Sequence, residues 1–148
     1  MLEAAIPGPL PCVSTGSYPE NCQPALRGSH VGTLTLISFG FKYGQPPANN
    51  YFDVSFLKNP AREARWDLWS LPGDEMREWV LGQAAAIEFL DAVVPLAKLL
   101  TQVDDGARLA LGCSAGRHRS TILTEELARR LRVEGLEITI FHRERELG

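Results

Sequence analysis

Residues 107–133 read ARLALGCSAGRHRSTILTEELARRLRV, and this stretch decides the fold. Arg108 to Gly112 is a short apolar segment that predicts a β-strand, and a loop rich in glycine and arginine follows it. Apolar residues then recur at helical spacing over residues 120–133, which predicts an amphipathic helix. Its inward side chains are Ile122, Leu123, Leu127 and Leu131. A further apolar segment at 136–141 predicts another strand, so the stretch forms a parallel strand–helix–strand unit.

The rest of the chain adds two strands and two helices to this unit. Residues 31–39 and 51–57 are rich in β-forming side chains, and residues 74–81 and 84–103 have helical periodicity. We expect Pro95 to kink the second of these helices or to split it. Its predicted buried stripe is Ile87, Leu90, Val94, Ala97 and Leu100. The order predicts an α/β fold with a small mixed sheet of about four strands, in two or three layers.

The chain divides by composition into two parts. Residues 1–30 hold five of the ten prolines, together with Cys12 and Cys22, and predict a flexible arm. The spacing of these two cysteines matches no metal site, so no metal and no cofactor is expected. Residues 31–148 are predicted to form the α/β domain.

Length, composition and charge exclude several classes of protein. A chain of 148 residues that is 45% hydrophobic and 22% charged suits one globular domain. It has no run of about 18 apolar residues, so no transmembrane helix and no membrane partner are expected. Three cysteines do not make a disulfide scaffold, which favours a cytoplasmic protein. With a net charge of −3, any polyanion site must be local, and eight arginines between residues 108 and 145 indicate where.

The loop between the predicted strand and helix is the candidate site. It comprises Gly112, Cys113, Ser114, Ala115, Gly116, Arg117, His118, Arg119 and Ser120. A loop that opens a helix presents unpaired backbone N–H groups to an anion, and its glycines let the backbone approach a ligand closely. Arginine adds bidentate recognition of phosphate. The pattern therefore predicts a binding site for phosphate or another oxyanion.

Cys113 and Arg119 also stand in the spacing C-x-x-G-x-x-R-S. This spacing resembles the phosphate-binding loop of protein tyrosine phosphatases, in which a thiolate attacks phosphorus and the arginine holds the phosphoryl oxygens. An enzyme of that kind would use Cys113, Arg119 and an aspartate acid such as Asp53 or Asp74. The alternative, which we favour, is that Cys113 is a small buried residue at a strand end.

Five segments in order identify a family resemblance. They are SFGFKYG at 38–44, FDVSFLKNP at 52–60, Gly73-Asp74, the loop at 112–120 and His142-Arg143. Together they resemble the C-terminal domain of the RNase adapter protein RapZ family, over residues 35–145. Family members usually also carry an N-terminal nucleotide-binding domain, whose phosphate-loop motif does not occur here. The resemblance thus implies a stand-alone C-terminal domain, with a separate nucleotide-binding protein as one expected partner.

The resemblance implies a domain that senses a phosphorylated metabolite such as glucosamine-6-phosphate, binds a regulatory RNA and self-associates. Its pocket would correspond to residues 113–120. Residues expected to surround it or to bind the sugar are Asp53, Asn59, Lys42, His142 and Arg143. Two departures put the sugar in question, because Ser55 stands where the family usually has arginine, and Ala61 where it often has histidine or an aromatic residue.

Three functions remain open from the sequence. The first is a domain that binds a phosphate ester, either a sugar phosphate or a nucleotide, coupled to RNA binding. The second is a cysteine-dependent phosphatase, and the third is an RNA-binding adapter. Because an open sheet of four strands leaves unpaired edges, we also expect a homo-oligomer.

Overall fold

The computed structural model describes residues 31–146. The arm predicted at residues 1–30 lies outside the described residues, as do Cys12 and Cys22. The described part is an α/β fold built on one four-stranded sheet, which confirms the predicted class and strand number.

The sheet consists of β1 (Thr33–Gly40), β2 (Asn50–Asp53), β3 (Arg108–Cys113) and β4 (Glu137–His142). Its spatial order is β2-β3-β1-β4, so β1 and β3 are the central strands. All three pairings are parallel, whereas a mixed sheet was expected. All four strands therefore have their carboxyl ends at one edge, where loops can converge on a ligand.

The helices are α1 (Asp74–Leu81), α2 (Ala84–Val103), α3 (Arg119–Val133) and the short α4 (Arg143–Glu146). Buried residues of α1, α2 and α3 form one core with Leu34 and Leu36 of β1 and with Leu109 and Leu111 of β3. The next residues along the strands face the other way, into a small cluster of Ile37, Phe39 and Ala110. Because side chains alternate along a strand, the three helices cover one face of the sheet, which is the two-layer form of the fold.

Two details of the prediction were wrong. The second strand ends at Asp53 rather than at Leu57, and Val54 and Leu57 enter the core from a loop. Of the two effects expected of Pro95, the split does not occur, because α2 continues through it; Pro95 lies on the exposed side of the helix, where water can bond the carbonyl that lacks its N–H partner. Ile87 is 44% exposed, since the buried stripe of α2 is Ala86, Leu90, Val93 and Ala97.

Within residues 31–146, no single helix is long and apolar enough to cross a membrane. Only α1 and α2 taken together reach that length and composition, and they are bent by 79° at their junction.

Candidate functional site

The loops that follow the two central strands meet at the carboxyl edge of the sheet. Gly40 at the end of β1 pairs with Cys113 at the end of β3. Beyond the strands, the Lys42 backbone N–H donates to the Ser114 carbonyl at 3.0 Å. The β1 loop is thereby held against the loop that joins β3 to α3, which we call the anion loop (residues 112–120).

Glycine is required where these two loops touch. A Cβ on Gly40 would lie 2.5 Å from the carbonyl carbon of Ala115, and a Cβ on Gly116 would lie 2.6 Å from the Gly40 nitrogen. Gly116 also has a φ of +69°, in the left-handed region that other residues rarely adopt. The two glycines therefore allow the backbones to pack directly on each other.

A pocket of about 120 Å³ opens between the anion loop, the β1 loop and the segment after β2. The anion loop contributes Cys113, Ser114, Ala115, Arg117, His118 and Arg119, and the other segments contribute Lys42, Tyr43, Asn59, Ala61, Leu68 and Trp69. Of the residues predicted to surround the loop, Lys42 and Asn59 line this pocket. Asp53, His142 and Arg143 do not.

The backbone of the anion loop is suited to hold an anion. The first helical hydrogen bond of α3 runs from the Ile122 N–H to the His118 carbonyl. No backbone carbonyl among residues 31–146 accepts from the N–H groups of residues 115–121. Free N–H groups at a helix start, aligned with the helix dipole, create a positive potential at that point.

The cations of the pocket have no carboxylate partners. Lys42, Arg117 and Arg119 form no ion pair with any described residue. Elsewhere, six arginines pair with aspartate or glutamate, namely Arg65, Arg77, Arg129, Arg130, Arg143 and Arg145. No acidic side chain among the described residues lines the pocket, and the nearby Asp67 interacts with His118. Lys42, Arg117 and Arg119 therefore create a positive potential in the pocket.

Arg119 holds the site together. It is only 6% exposed, and one guanidinium nitrogen donates to the carbonyls of Ser55 and Leu57 at 2.8 and 3.0 Å. The other terminal nitrogen donates to Ser114 Oγ at 3.2 Å. Arg119 thus connects the segment after β2 to the anion loop. Because it also lines the pocket, its remaining guanidinium N–H groups can donate to a ligand there.

Asp53, predicted to surround the pocket, does not line it. It pairs in register with Gly112 at the edge of the sheet, and its side chain is exposed. Its carboxylate accepts from the Ser55 N–H at 2.8 Å, so it closes a local turn. The groups of this segment that Arg119 binds are the carbonyls of Ser55 and Leu57.

Cys113 is 3% exposed and belongs to the main core. Its Sγ lies 3.2 Å from Ser120 Oγ, in the first turn of α3. It reaches the pocket wall from this buried position, an arrangement that suits the small buried residue favoured from the sequence.

Sequence reasoning missed the segment at residues 67–71, which closes one side of the pocket. His118 is 5% exposed, and its Nε2–H donates to the Ser70 carbonyl at 2.7 Å. The Asp67 carboxylate accepts from the Trp69 N–H at 2.7 Å, and this hydrogen bond lowers the pKa of Asp67. Trp66 and Trp79 pack against the core, whereas Trp69 is 72% exposed. Local periodicity carries no signal for such a contact.

His142 and Arg143 support the site from behind. The Ser38 hydroxyl donates to His142 Nδ1 at 2.6 Å, and His142 Nε2–H lies 3.2 Å from a Glu125 oxygen. Burial lowers the pKa of His142, and the positive charge of Arg145 lowers it further. Arg143 donates to the Gly40 carbonyl at 2.9 Å.

Glu144 is a further residue that the sequence did not single out. Its carboxylate accepts from the Gly40 N–H at 2.8 Å, and it pairs with Arg143 at 2.8 Å. These contacts fix the end of β1 against which Gly116 packs. No group of three or more histidine, cysteine, aspartate or glutamate side chains in residues 31–146 is arranged to hold a metal ion.

Comparison with known proteins identifies the domain type. A family model described as the RapZ C-terminal domain matches residues 32–146. A protein from Mycolicibacterium vanbaalenii named nucleotide-binding protein is 36% identical over 143 residues, which is 89% of this chain and 44% of that protein. One of the same name from Acidothermus cellulolyticus is 41% identical over 129 residues, covering 78% of this chain and 37% of the relative. The chain thus spans less than half the length of these curated relatives.

Proposed function

This chain belongs to the RapZ C-terminal domain family, and from that premise we propose that it binds a phosphate ester, a sugar phosphate or a nucleotide, in the pocket at the anion loop. The phosphate accepts hydrogen bonds from the free N–H groups at the start of α3. Arg117 and Lys42 contact its oxygens from the side, and Arg119 contacts them from the pocket wall.

One observation carries this proposal: the pocket collects three cationic side chains, Lys42, Arg117 and Arg119, that form no ion pair with any carboxylate among residues 31–146. Other arginines of the chain, such as Arg129 and Arg143, pair with glutamates, whereas no acidic side chain among residues 31–146 lines this pocket. Cationic side chains held close together repel one another. A bound anion offsets this repulsion, and because it binds only the folded state it stabilises that state. The relatives' name, nucleotide-binding protein, is consistent with a ligand of this class.

The same geometry makes phosphatase activity the weaker interpretation. Cys113 is packed in the core, and no aspartate or glutamate lines the pocket to act as the general acid. A leaving alkoxide would therefore lack a proton donor of the kind such enzymes use. We propose binding without turnover, and sustained hydrolysis of an aryl phosphate that Cys113→Ser abolishes would contradict this.

The test is a calorimetric titration with inorganic phosphate, glucosamine-6-phosphate and a nucleoside monophosphate. We expect at least one of these to bind, with Arg117→Ala weakening the affinity by about tenfold, the effect of losing one charge-assisted hydrogen bond. Arg129→Ala is the matched control, because Arg129 is an exposed arginine that pairs with Glu126 on the far part of α3. Equal losses in both variants, or no binding by the wild type, would refute the proposal.

RNA binding is a second candidate, favoured by a second pocket beside the first. It has a volume of about 500 Å³ and shares Asn59, Ser114 and Arg119 with the first pocket. It adds Lys58 and Arg62, which form no ion pair with described residues, as well as one acidic residue, Glu63. Two adjoining basic pockets suit successive phosphates of a strand, so RNA affinity should fall steeply with salt. Salt-insensitive binding would count against this function.

A further inference from the structure

Trp69 stands at the mouth of the pocket with most of its indole in solvent. It is 72% exposed, and the Arg117 guanidinium lies over its ring with 4.6 Å between the guanidinium carbon and the ring centroid. The other two tryptophans, Trp66 and Trp79, pack edge to face on each other against the core. Trp69 is therefore the tryptophan, within the described part of the chain, that is free to contact a ligand.

Hydrogen bonds within residues 67–70, and one to the anion loop, fix the turn that carries Trp69. The Asp67 carboxylate accepts from the Trp69 N–H, and the Ser70 N–H donates to the Asp67 carbonyl at 3.3 Å, which makes a tight turn. The buried His118 of the anion loop then binds the Ser70 carbonyl. These hydrogen bonds fix the backbone turn that carries Trp69 and connect it to His118 of the anion loop, while Arg117 packs on the indole ring. An exposed aromatic ring held in this way is preorganised for contact.

The rest of the lining suits a flat, poorly hydroxylated group. Leu68, Ala61 and Tyr43 line the same pocket, and no aspartate or glutamate does. Asn59 already uses its side-chain oxygen to accept from the Ala61 N–H at 3.1 Å. A hexose carries more hydroxyl groups than a ribose and would find no carboxylate acceptor among the described residues of this pocket, and an amino sugar would place its ammonium among cations. A planar ring needs neither kind of partner and can stack on indole.

We propose that the phosphate ester bound by this domain is a nucleotide, with its base stacked on Trp69 and its phosphate at the anion loop. This inference rests on the proposed function, because it assigns the organic part of the same ligand. Arg117 contributes to both parts of this site. It holds the indole in place by cation–π stacking, and its guanidinium N–H groups donate hydrogen bonds to the phosphate. Trp69 is then the residue that determines specificity for a base over a sugar.

The experiment measures selectivity rather than a single affinity. Affinities for adenosine 5′-monophosphate, glucosamine-6-phosphate and inorganic phosphate are determined for wild type, Trp69→Ala, Trp69→Phe and Leu71→Ala. Leu71 is the matched control, because it is an exposed apolar residue on the same segment that does not line the pocket. We expect the preference for the nucleotide over inorganic phosphate to fall about tenfold or more in Trp69→Ala. Trp69→Phe, which keeps a ring, should retain most of the preference, and Leu71→Ala all of it.

Fluorescence supplies an independent readout. A base stacked on the exposed indole should quench tryptophan emission, and this quenching should be absent in Trp69→Phe, in which Trp66 and Trp79 remain. If inorganic phosphate and glucosamine-6-phosphate bind as tightly as the nucleotide, or if Trp69→Ala keeps the wild-type preference, the inference is wrong while the phosphate site stands. If none of the three ligands binds to the wild type, the proposed function itself fails.

Discussion

At the scale of single residues, two arginines of the anion loop, Arg117 and Arg119, have different structural roles although they are two positions apart. Arg119 is buried and donates to two backbone carbonyls and one hydroxyl, whereas Arg117 is exposed and stacks on Trp69. The motif spacing pointed to Arg119 as the phosphate ligand. The structure makes it chiefly the residue that joins two loops, so a binding test on Arg119 alone would confuse lost affinity with lost structure.

Arg119→Ala should lower the free energy of unfolding by about 2 kcal/mol, because it leaves the Ser55 and Leu57 carbonyls without their donor. Arg117→Ala should change stability by less than about 0.5 kcal/mol, as is usual for an exposed side chain. Urea unfolding of both variants measures the difference. Equal stability of the two variants would show that the buried hydrogen bonds of Arg119 contribute little.

Gly116→Ala should destabilise the protein more than Gly135→Ala. Both glycines have positive φ, +69° and +88°, so both variants carry the conformational cost of about 1 kcal/mol. Only at Gly116 does a new Cβ meet backbone, at 2.6 Å from the Gly40 nitrogen, since nothing lies within 4 Å at Gly135. The urea midpoint of Gly116→Ala should therefore fall further than that of Gly135→Ala, and the difference measures the contact between the two loops. Equal midpoints would mean that the loops can separate at little cost in free energy.

At the scale of elements, the end of β4 is connected to the rest of the fold by a partly buried polar network. His142 accepts from Ser38 of β1 and donates to Glu125 of α3, and Glu125 in turn pairs with Arg77 of α1 and Arg145 of α4. Glu126 binds Arg129 and Arg130, whereas Glu125 faces the network.

His142 should make stability fall as the pH is lowered. Burial depresses the pKa of His142 below its ordinary value of 6.5, so the unfolded chain binds the proton more readily than the folded one. The stabilising contribution is complete above about pH 6.5 and is lost as the pH falls toward the lowered pKa. Urea unfolding at pH 7.5 and 5.5 should show a smaller decrease for His142→Gln than for wild type. A decrease of the same size would assign the effect to other groups.

At the scale of the whole molecule, β2 and β4 are the outer strands of the sheet that residues 31–146 form, each with one neighbouring strand there. The solvent side of α2 exposes several large apolar side chains. These are Ile87, Leu96, Leu99 and Val103. Unpaired edges and exposed apolar residues favour association with another chain. The homo-oligomer expected from the sequence stays a prediction.

Light scattering at micromolar concentration should give the mass of a dimer or larger assembly. If α2 forms the contact, Leu99→Glu should shift the protein toward the monomer, whereas Lys98→Glu, one position away on the same helix, should change it less. A monomeric wild type would contradict the prediction.

The sequence by itself determined the α/β class, the strand–loop–helix unit and the family, because these follow from local periodicity, from glycines that a tight loop requires and from motifs that are contiguous in the chain. It also located the anion loop and Lys42. What only the tertiary structure decided is which distant groups meet there. Trp69 reaches the pocket through a hydrogen bond between Ser70 and His118, and Arg119 binds the Ser55 carbonyl while Asp53 lies outside the pocket. Such contacts join residues 48 and 64 positions apart, and no period or local spacing encodes them.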